Sequence, residues 1–399
     1  MLHMTNRPEA GTPVMAWPES LRPSRLNRVD HATPFLITDC SVIQQRYQRL
    51  VDLVPGLAVF YAVKCNSSET VLSTLAAAGA GFEVASSNEL DQVTAAGVSP
   101  HEVLYSNTVK PAHHIAAAYA QGVDRFAFDS EAELRKLAAV APGARVYARL
   151  TVDDHQSLFP LSAKFGTTIE DGCRLLLQAR DLGLVPYGLM FHVDSQCTDP
   201  LAWRRAMARC SSALRELDRH RLRLEMLNIG GGLPARYVDA VPTIEEFAVE
   251  IGRGLERLPY RPPLLCAEPG RYLVAESAVL AATVIGIEDR GRERWAYLDV
   301  GGYNGMMETL QTGGRWHFPL STSRADESTV PHVPFTVTGP SCDSSDTMFY
   351  DASLPATLAA EDRIYIGSTG AYSLSYASHF NGFRPPTPLF INAPPPSPA

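Results

Sequence analysis

From about residue 58 the sequence repeats one unit: a short apolar run, a polar turn, then a stretch with apolar residues at helical spacing. The runs "LAVFYAV", "GFEVAS", "VLYSN", "RFAFDS", "RVYARL", "YGLMFHV", "LEMLNI" and "PLLCAEP" read as strands. Stretches such as "SETVLSTLAAA", "SNELDQVTAAG", "SEAELRKLAAV" and "PLAWRRAMARCSSALRELDRH" between them read as amphipathic helices. Strands alternating with helices predict a parallel sheet. Eight such units in about 215 residues match the size of a (β/α)8 barrel. The doubly wound alternative lacks its dinucleotide fingerprint, because "GAGFEV" places Val84 where the third glycine belongs and leads into a strand. Past residue 271 the pattern changes to β-like runs divided by turn residues, among them "AVLAATVIGIE", "RWAYLDV", "RWHFPLST", "PFTVTGP" and "RIYIGST".

The fold class expected is therefore α/β, a TIM-like (β/α)8 barrel over residues 38–271 with a mostly antiparallel β domain over 272–385. The early strand-like segment at 32–37 joins that second domain, which is then built from both chain ends. Residues 1–31 and 386–399 are rich in proline and are expected to be a flexible leading segment and a tail. Composition narrows the function. Of 399 residues, 45% are apolar and 20% charged, as in a soluble globular protein, and the net charge of -8 with no basic run speaks against nucleic acid or an anionic membrane as partner. No stretch nears 18 apolar residues and the first residues lack the apolar core of a leader, so neither a membrane span nor a signal peptide is expected. Seven cysteines without a C-x-x-C pair fit a reducing cytoplasm, and no Cys/His quartet has metal-ligand spacing, so no metal is expected.

In a barrel of this type the chemistry gathers at the C-terminal ends of the strands. Those ends carry Lys64, Glu83, Arg149, His192 with Ser195, the glycines 230–232, and Glu268 with Arg271. Each has a plain structural reading: a lysine where the chain surfaces, a tight Gly-Gly-Gly turn, a hydrogen-bonded histidine, a turn with a surface ion pair. Their combination points elsewhere. A glycine nest beside an arginine on adjacent strand ends is a phosphate site. A strand-end lysine, a histidine able to stack on a ring and a carboxylate able to face a ring nitrogen then describe a pyridoxal 5'-phosphate pocket. Lys64 holds the carbonyl as a Schiff base and Glu268 keeps the pyridine nitrogen protonated.

The segments "FYAVKCN", "GFEVASSNEL", "SAKFG", "FHVDSQCTDP", "NIGGGLP", "EPGRY", "GPSCDSSD" and "GAYSLSYASHFNGF" resemble, in order and over residues 32–385, those of the fold-type III pyridoxal phosphate-dependent decarboxylases of basic amino acids. That resemblance implies α-decarboxylation of a basic L-amino acid, ornithine first or else lysine, to a diamine and CO2, and with it polyamine biosynthesis. It implies that Lys64, Cys342 and His192 are catalytic, with Cys342 returning a proton to the product carbanion. It further implies cofactor contacts from Lys64, Glu83, Arg149, His192, Ser195, Gly231, Gly232, Glu268, Arg271 and Tyr372. Substrate contacts are expected from Asp343, which receives the distal amine, with Asp194, Tyr303 and Phe380. Cys342 and Asp343 are expected to enter the pocket from a second subunit, making a homodimer with shared sites, and Lys164 and Asp346 to bridge the two subunits. Two departures stand out. Asp194 replaces the family's usual glycine, either facing the pocket or capping a backbone turn. In "GGYNGMMETLQTGGRWHF" Gln311 and Thr312 stand where a second substrate-reading aspartate is expected, and Glu308 is the nearest acid. Diaminopimelate or an N-substituted ornithine is the alternative substrate. A non-catalytic regulatory homologue is the alternative of another class, and the joint presence of Lys64, Glu268, Arg271, Cys342 and Asp343 argues against it.

Overall fold

A computed structural model describes residues 17–152, 157–159, 164–324 and 327–395. Strand β1 (Phe35–Asp39) precedes β2 (Leu57–Ala62), β3 (Gly81–Val84), β4 (Val103–Tyr105), β5 (Arg125–Phe128) and β6 (Arg145–Arg149). A short β7 (Ser157–Phe159) intervenes before β8 (Val185–Met190), and β9 (Ser195–Cys197) before β10 (Met226–Asn228) and β11 (Leu264–Ala267). Strands β2, β3, β4, β5, β6, β8, β10 and β11 close into a parallel barrel, so all eight strands expected from the sequence are found in it. Within β2 the alternation explains the closure: Val59 and Tyr61 pack outward on the helices while Phe60 points inward beside Leu104, Tyr147, Met190, Met226 and Cys266.

Side-chain caps start the surrounding helices. Ser86 accepts from Glu89 N at 3.2 Å, Ser130 from Glu133 N at 3.3 Å and Thr168 from Asp171 N at 3.1 Å, each satisfying a donor that the first turn leaves free. The helix Leu201–Arg219 buries Trp203, Met207, Cys210, Leu214 and Leu217, a stripe of spacing three and four.

The second domain follows as β12 (Ala278–Arg290), β13 (Glu293–Leu298), β14 (Leu320–Thr322), β15 (His332–Thr338), β16 (Thr347–Pro355), β17 (Arg363–Gly367) and β18 (Thr387–Ile391). Its pairs are antiparallel except β13 with β15 and β1 with β18, and β1 enters the sheet by pairing with β12, Phe35 opposite Ala281. Two differences from the sequence reading concern the chain ends. Residues 387–391, placed in the tail, form the edge strand β18 alongside β1. An edge strand tolerates the proline that masked it, because Pro388 need give no hydrogen bond on its open side. Within residues 17–31, placed in the flexible segment, Glu19–Leu21 and Pro23–Leu26 fold as short helical turns whose Leu21 and Leu26 pack against Phe35, Ile37 and Val279. The rest of that segment, 1–16, and residues 396–399 lie outside the described residues. Among the described residues no helix is long and apolar enough to cross a membrane, and no cluster of His, Cys, Asp and Glu could hold a metal ion.

Candidate active site

Lys64 sits on the 3-10 turn Val63–Cys65 that caps the end of β2. Residues that follow β17 fix this turn: Cys65 O accepts from Tyr372 N at 2.8 Å and from Ser375 Oγ at 3.3 Å, and Asn66 Nδ2 donates to Gly370 O at 3.0 Å. Solvent reaches 46% of the Lys64 side chain, so the amine lies in an open mouth and not in a sealed core. Its Nζ donates to Glu83 Oε2 at 2.5 Å. Burial by the walls works against the ammonium, but the Glu83 carboxylate outweighs it and holds the Lys64 pKa above its ordinary value.

Glu268, one residue past β11, faces the same mouth. It accepts from Ser106 Oγ and from Asn228 Nδ2, the latter at 2.6 Å, and Ser106 in turn meets Tyr147 Oη at 2.7 Å. Burial above all, and then the like charge of Glu83, push the Glu268 carboxyl up to about 7. The sequence reading missed Ser106, Asn228 and Tyr147. Ser106 and Asn228 stand at strand ends, where position alone could have drawn attention, but Tyr147 lies inside an ordinary strand.

His192, two residues past β8, receives Asp194 N at 3.0 Å on Nδ1, which assigns the ring proton to Nε2. Burial, reinforced by Arg149 and Lys64, holds His192 well below its ordinary pKa, so the ring is neutral. Arg149, at the end of β6, is lowered by burial, offset by the charges of Glu268, Asp129, Asp194 and Glu83. Asp194 is fully buried with φ 66°, a left-handed backbone that explains why glycine is at home there. Its charge acts on Arg149, and Arg149 is thus a cation that compensates it. After β10 the glycines leave no room for side chains: a Cβ on Gly231 would lie 2.5 Å from Glu268 O, and one on Gly232 2.4 Å from Asp194 O.

Arg271 completes that cradle. NH2 donates to Ser195 Oγ at 3.2 Å and to Glu308 Oε1 at 2.6 Å, while NH1 donates to Tyr237 Oη at 2.9 Å and to Glu308 Oε2 at 2.8 Å. The guanidinium carbon lies 4.8 Å from the Tyr372 ring centre and 5.2 Å from that of Trp316, and Nε is buried without a partner. Glu308, noted in the sequence as the acid nearest to the place of the missing second aspartate, is committed to this arginine. Thr312 is spent on its own helix, donating to Glu308 O and Thr309 O at 3.0 Å.

A second cluster forms in the β domain. Tyr303 Oη donates to Asp343 Oδ2 at 2.8 Å, the Tyr303 and Phe380 rings lie 4.6 Å apart, and the backbone N and Sγ of Cys342 both reach Asn381 Oδ1 at 3.2 Å. The Ser345 backbone N–H and then the Tyr303 hydroxyl hold Asp343 below the ordinary carboxylate pKa. Cys342 is exposed. The side-chain hydrogen bonds of Cys342 and Asp343 stay within this cluster. Asp346 is buried, its carboxylate taking Gly302 N at 2.7 Å and Ser341 N at 3.2 Å, while Lys164 is exposed. Ser162 and Ala163 of the "SAKFG" segment lie outside the described residues.

A carbonyl compound bearing one anionic group is what such a mouth accommodates. The amine is at hand, the cradle is stripped of side chains, and a buried Nε–H of Arg271 still lacks an acceptor. That places the chain among pyridoxal 5'-phosphate enzymes. Residues 40–275 match the family model of the pyridoxal-dependent decarboxylases, specifically their pyridoxal-binding domain. The lysine/ornithine decarboxylase of Selenomonas ruminantium is 33% identical over 368 residues, 91% of each chain. The structure of lysine/ornithine decarboxylase from Vibrio vulnificus complexed with putrescine superposes with a TM-score of 0.83 at 30% identity, over 91% of this chain and 95% of that one. The arginine decarboxylase of Paramecium bursaria Chlorella virus gives 0.85 at 28% identity, over 93% and 100%. The chain belongs to the fold-type III pyridoxal phosphate-dependent decarboxylases of basic amino acids.

Proposed function

We propose that this enzyme decarboxylates ornithine or lysine, as a cytoplasmic homodimer whose active sites are shared between subunits. The observation that carries the substrate is the Tyr303–Asp343 pair, a hydrogen-bonded carboxylate held ionised on an accessible face and suited to a distal ammonium. Relatives named as lysine/ornithine decarboxylases support the same choice. Seven free cysteines, six of them buried, support a reducing compartment.

When bound, the cofactor supplies an electron sink for the charge left at Cα as CO2 departs. The residues of this chain prepare for that chemistry. Glu83 stands within hydrogen-bond reach of Lys64 Nζ and can take up its proton. Glu268, oriented by Ser106 and Asn228, holds its proton up to about pH 7 and would share it with a ring nitrogen beside it, so that the nitrogen stays protonated. The neutral His192 ring presents a flat face without a competing charge. The Gly231–Gly232 cradle, Ser195, Tyr372 and Arg271 receive the phosphate. Cys342, steadied by Asn381, is the acid that returns a proton to Cα.

A diamino acid substituted on its distal nitrogen is the second reading, favoured by the commitment of Glu308 to Arg271, which leaves Asp343 as the acid of the exposed cluster. A CO2-release screen of ornithine, lysine, arginine, diaminopimelate and N-substituted ornithines separates the possibilities. The expected result is a kcat/KM for ornithine or lysine at least tenfold above the others, about 1.4 kcal/mol of discrimination. A preference for diaminopimelate would refute the assignment.

A further inference from the structure

Arg271 is the cation of the anion cradle, and its fork is already occupied. Glu308 grips NH1 and NH2 with both oxygens, at 2.8 and 2.6 Å, and the pair is sealed from water, with 3% of the arginine and 9% of the glutamate side chain exposed. A bidentate carboxylate is the strongest partner a guanidinium finds within a protein, and its planar geometry is the one a phosphate also uses. Two anions therefore claim one cation. The Nε–H is the donor still free. Tyr237 and Ser195 hold the guanidinium in place, and the rings of Tyr372, Trp316 and Phe159 line it at 4.8 to 5.4 Å, so it does not turn away to serve another anion.

We propose that Glu308 is the enzyme's built-in stand-in for the cofactor phosphate. It satisfies Arg271 while the cradle is empty, yields part of the fork when a phosphate arrives, and so loosens the hold on pyridoxal 5'-phosphate to the point where the cofactor exchanges. Coupling of this sort is reciprocal: the grip of Glu308 weakens the phosphate by the same factor that the phosphate weakens Glu308. Removing the charge of Glu308 thus acts twice in one direction. It frees the cation for the phosphate, and it leaves the empty protein with a buried arginine short of its counter-ion. The inference rests on the cradle being the phosphate site.

The test compares pyridoxal 5'-phosphate with pyridoxal, which lacks the phosphate, in titrations of cofactor-stripped protein followed by quenching of tryptophan fluorescence. Glu308→Gln, nearly isosteric and uncharged, is expected to bind pyridoxal 5'-phosphate at least tenfold more tightly than the native protein and pyridoxal equally well. Its empty form is expected to melt lower, with a larger rise in Tm on adding inorganic phosphate. Unchanged or weaker binding of pyridoxal 5'-phosphate by Glu308→Gln would overturn the proposal, making Glu308 a strut that aims Arg271. Should Glu308→Gln not fold when empty, Glu308→Asp takes its place. It keeps the charge but is one methylene too short for the two-point grip, and about threefold tightening is the supporting result. Arg271→Gln checks the underlying assignment. If it weakens both ligands equally, the phosphate lies elsewhere and the proposal falls with the cradle.

Discussion

Lys64 and Glu268 show how one buried carboxylate, that of Glu83, keeps one neighbour charged and the other neutral. Glu83 lies 2.5 Å from the Lys64 amine and stabilises its ammonium, and its like charge adds to the burial that keeps the proton on Glu268. Lys64→Ala is expected to abolish the visible absorption of lysine-bound cofactor and to lower kcat by at least about a thousandfold, because a covalent amine has no substitute in water. Absorption that persists in this variant, measured after gel filtration, would move the attachment to another lysine. The pH prediction concerns the cofactor-free protein. Glu268 keeps its proton up to about pH 7 when folded, against an ordinary carboxyl value of 4.5 in the unfolded chain. Between these values the folded state holds a proton that the unfolded state has released. Its stability therefore falls as pH rises through this window, at a limit of about 1.4 kcal/mol per pH unit. Tm of the empty protein should drop between pH 5 and pH 7.5, and Glu268→Gln should flatten the slope. A slope unchanged in the variant assigns it to other groups.

At the scale of elements the barrel was legible because each unit carries its own period, two for the strand and 3.6 for the helix, and both periods survive burial. The β domain was less so. Strand β16, "TMFYDASLP", escaped notice because its alternation breaks at Asp351, which takes φ 55° where the pairing with β15 is irregular. Strand β18 hid among prolines. Within the proposed site, the lysine, the histidine and the arginines stood out by type and position, whereas most residues that hydrogen-bond to this set did not. Ser106, Asn228 and Tyr147 around Glu268, or Tyr237 around Arg271, are ordinary residues whose role depends on which strand lies beside which, and Glu308 was noticed for a different position. The glycine turn after β10 lies between these cases, since its sequence suggested a nest and the geometry shows what it excludes. Gly232 has φ 102° and faces Asp194 O, so Gly232→Ala carries both backbone strain and a collision. The expected cost is about 2–3 kcal/mol of stability, with at least tenfold weaker binding of pyridoxal 5'-phosphate than of the native protein. Thermal melting and fluorescence titration measure the two effects. Native-like values for both would mean that the turn opens to accept a methyl group.

The residues singled out for the chemistry come from the barrel and from the β domain, and the proposed dimer joins the barrel residues of one copy to the β-domain residues of the other. Lys64, Glu268 and Arg271 stand at the ends of barrel strands, while Cys342 and Asp343 lie in the β domain, hydrogen-bonded to Asn381 and Tyr303. Phe380, 41% exposed, and Phe383, 36% exposed, lie in the same part of the chain as Asn381 and give that face apolar surface to cover. Twofold symmetry lets two copies exchange such pieces, each mouth completed by the other's thiol and carboxylate. The consequence is a complementation test. A Lys64→Ala protein lacks the amine in both mouths, and a Cys342→Ala protein lacks the proton donor in both clusters, so each homodimer is inactive. Random exchange makes half of all dimers mixed. In a mixed dimer one site combines the intact mouth of one copy with the intact cluster of the other, and the second site inherits both lesions. Equal mixing should therefore restore about one quarter of the native activity, with exchange confirmed by mass tags on the two variants. If each site were built within a single chain, every site in the mixture would carry one lesion and no activity would return. Recovery near a quarter, rising from zero as subunits exchange, is the outcome that the proposed shared site predicts.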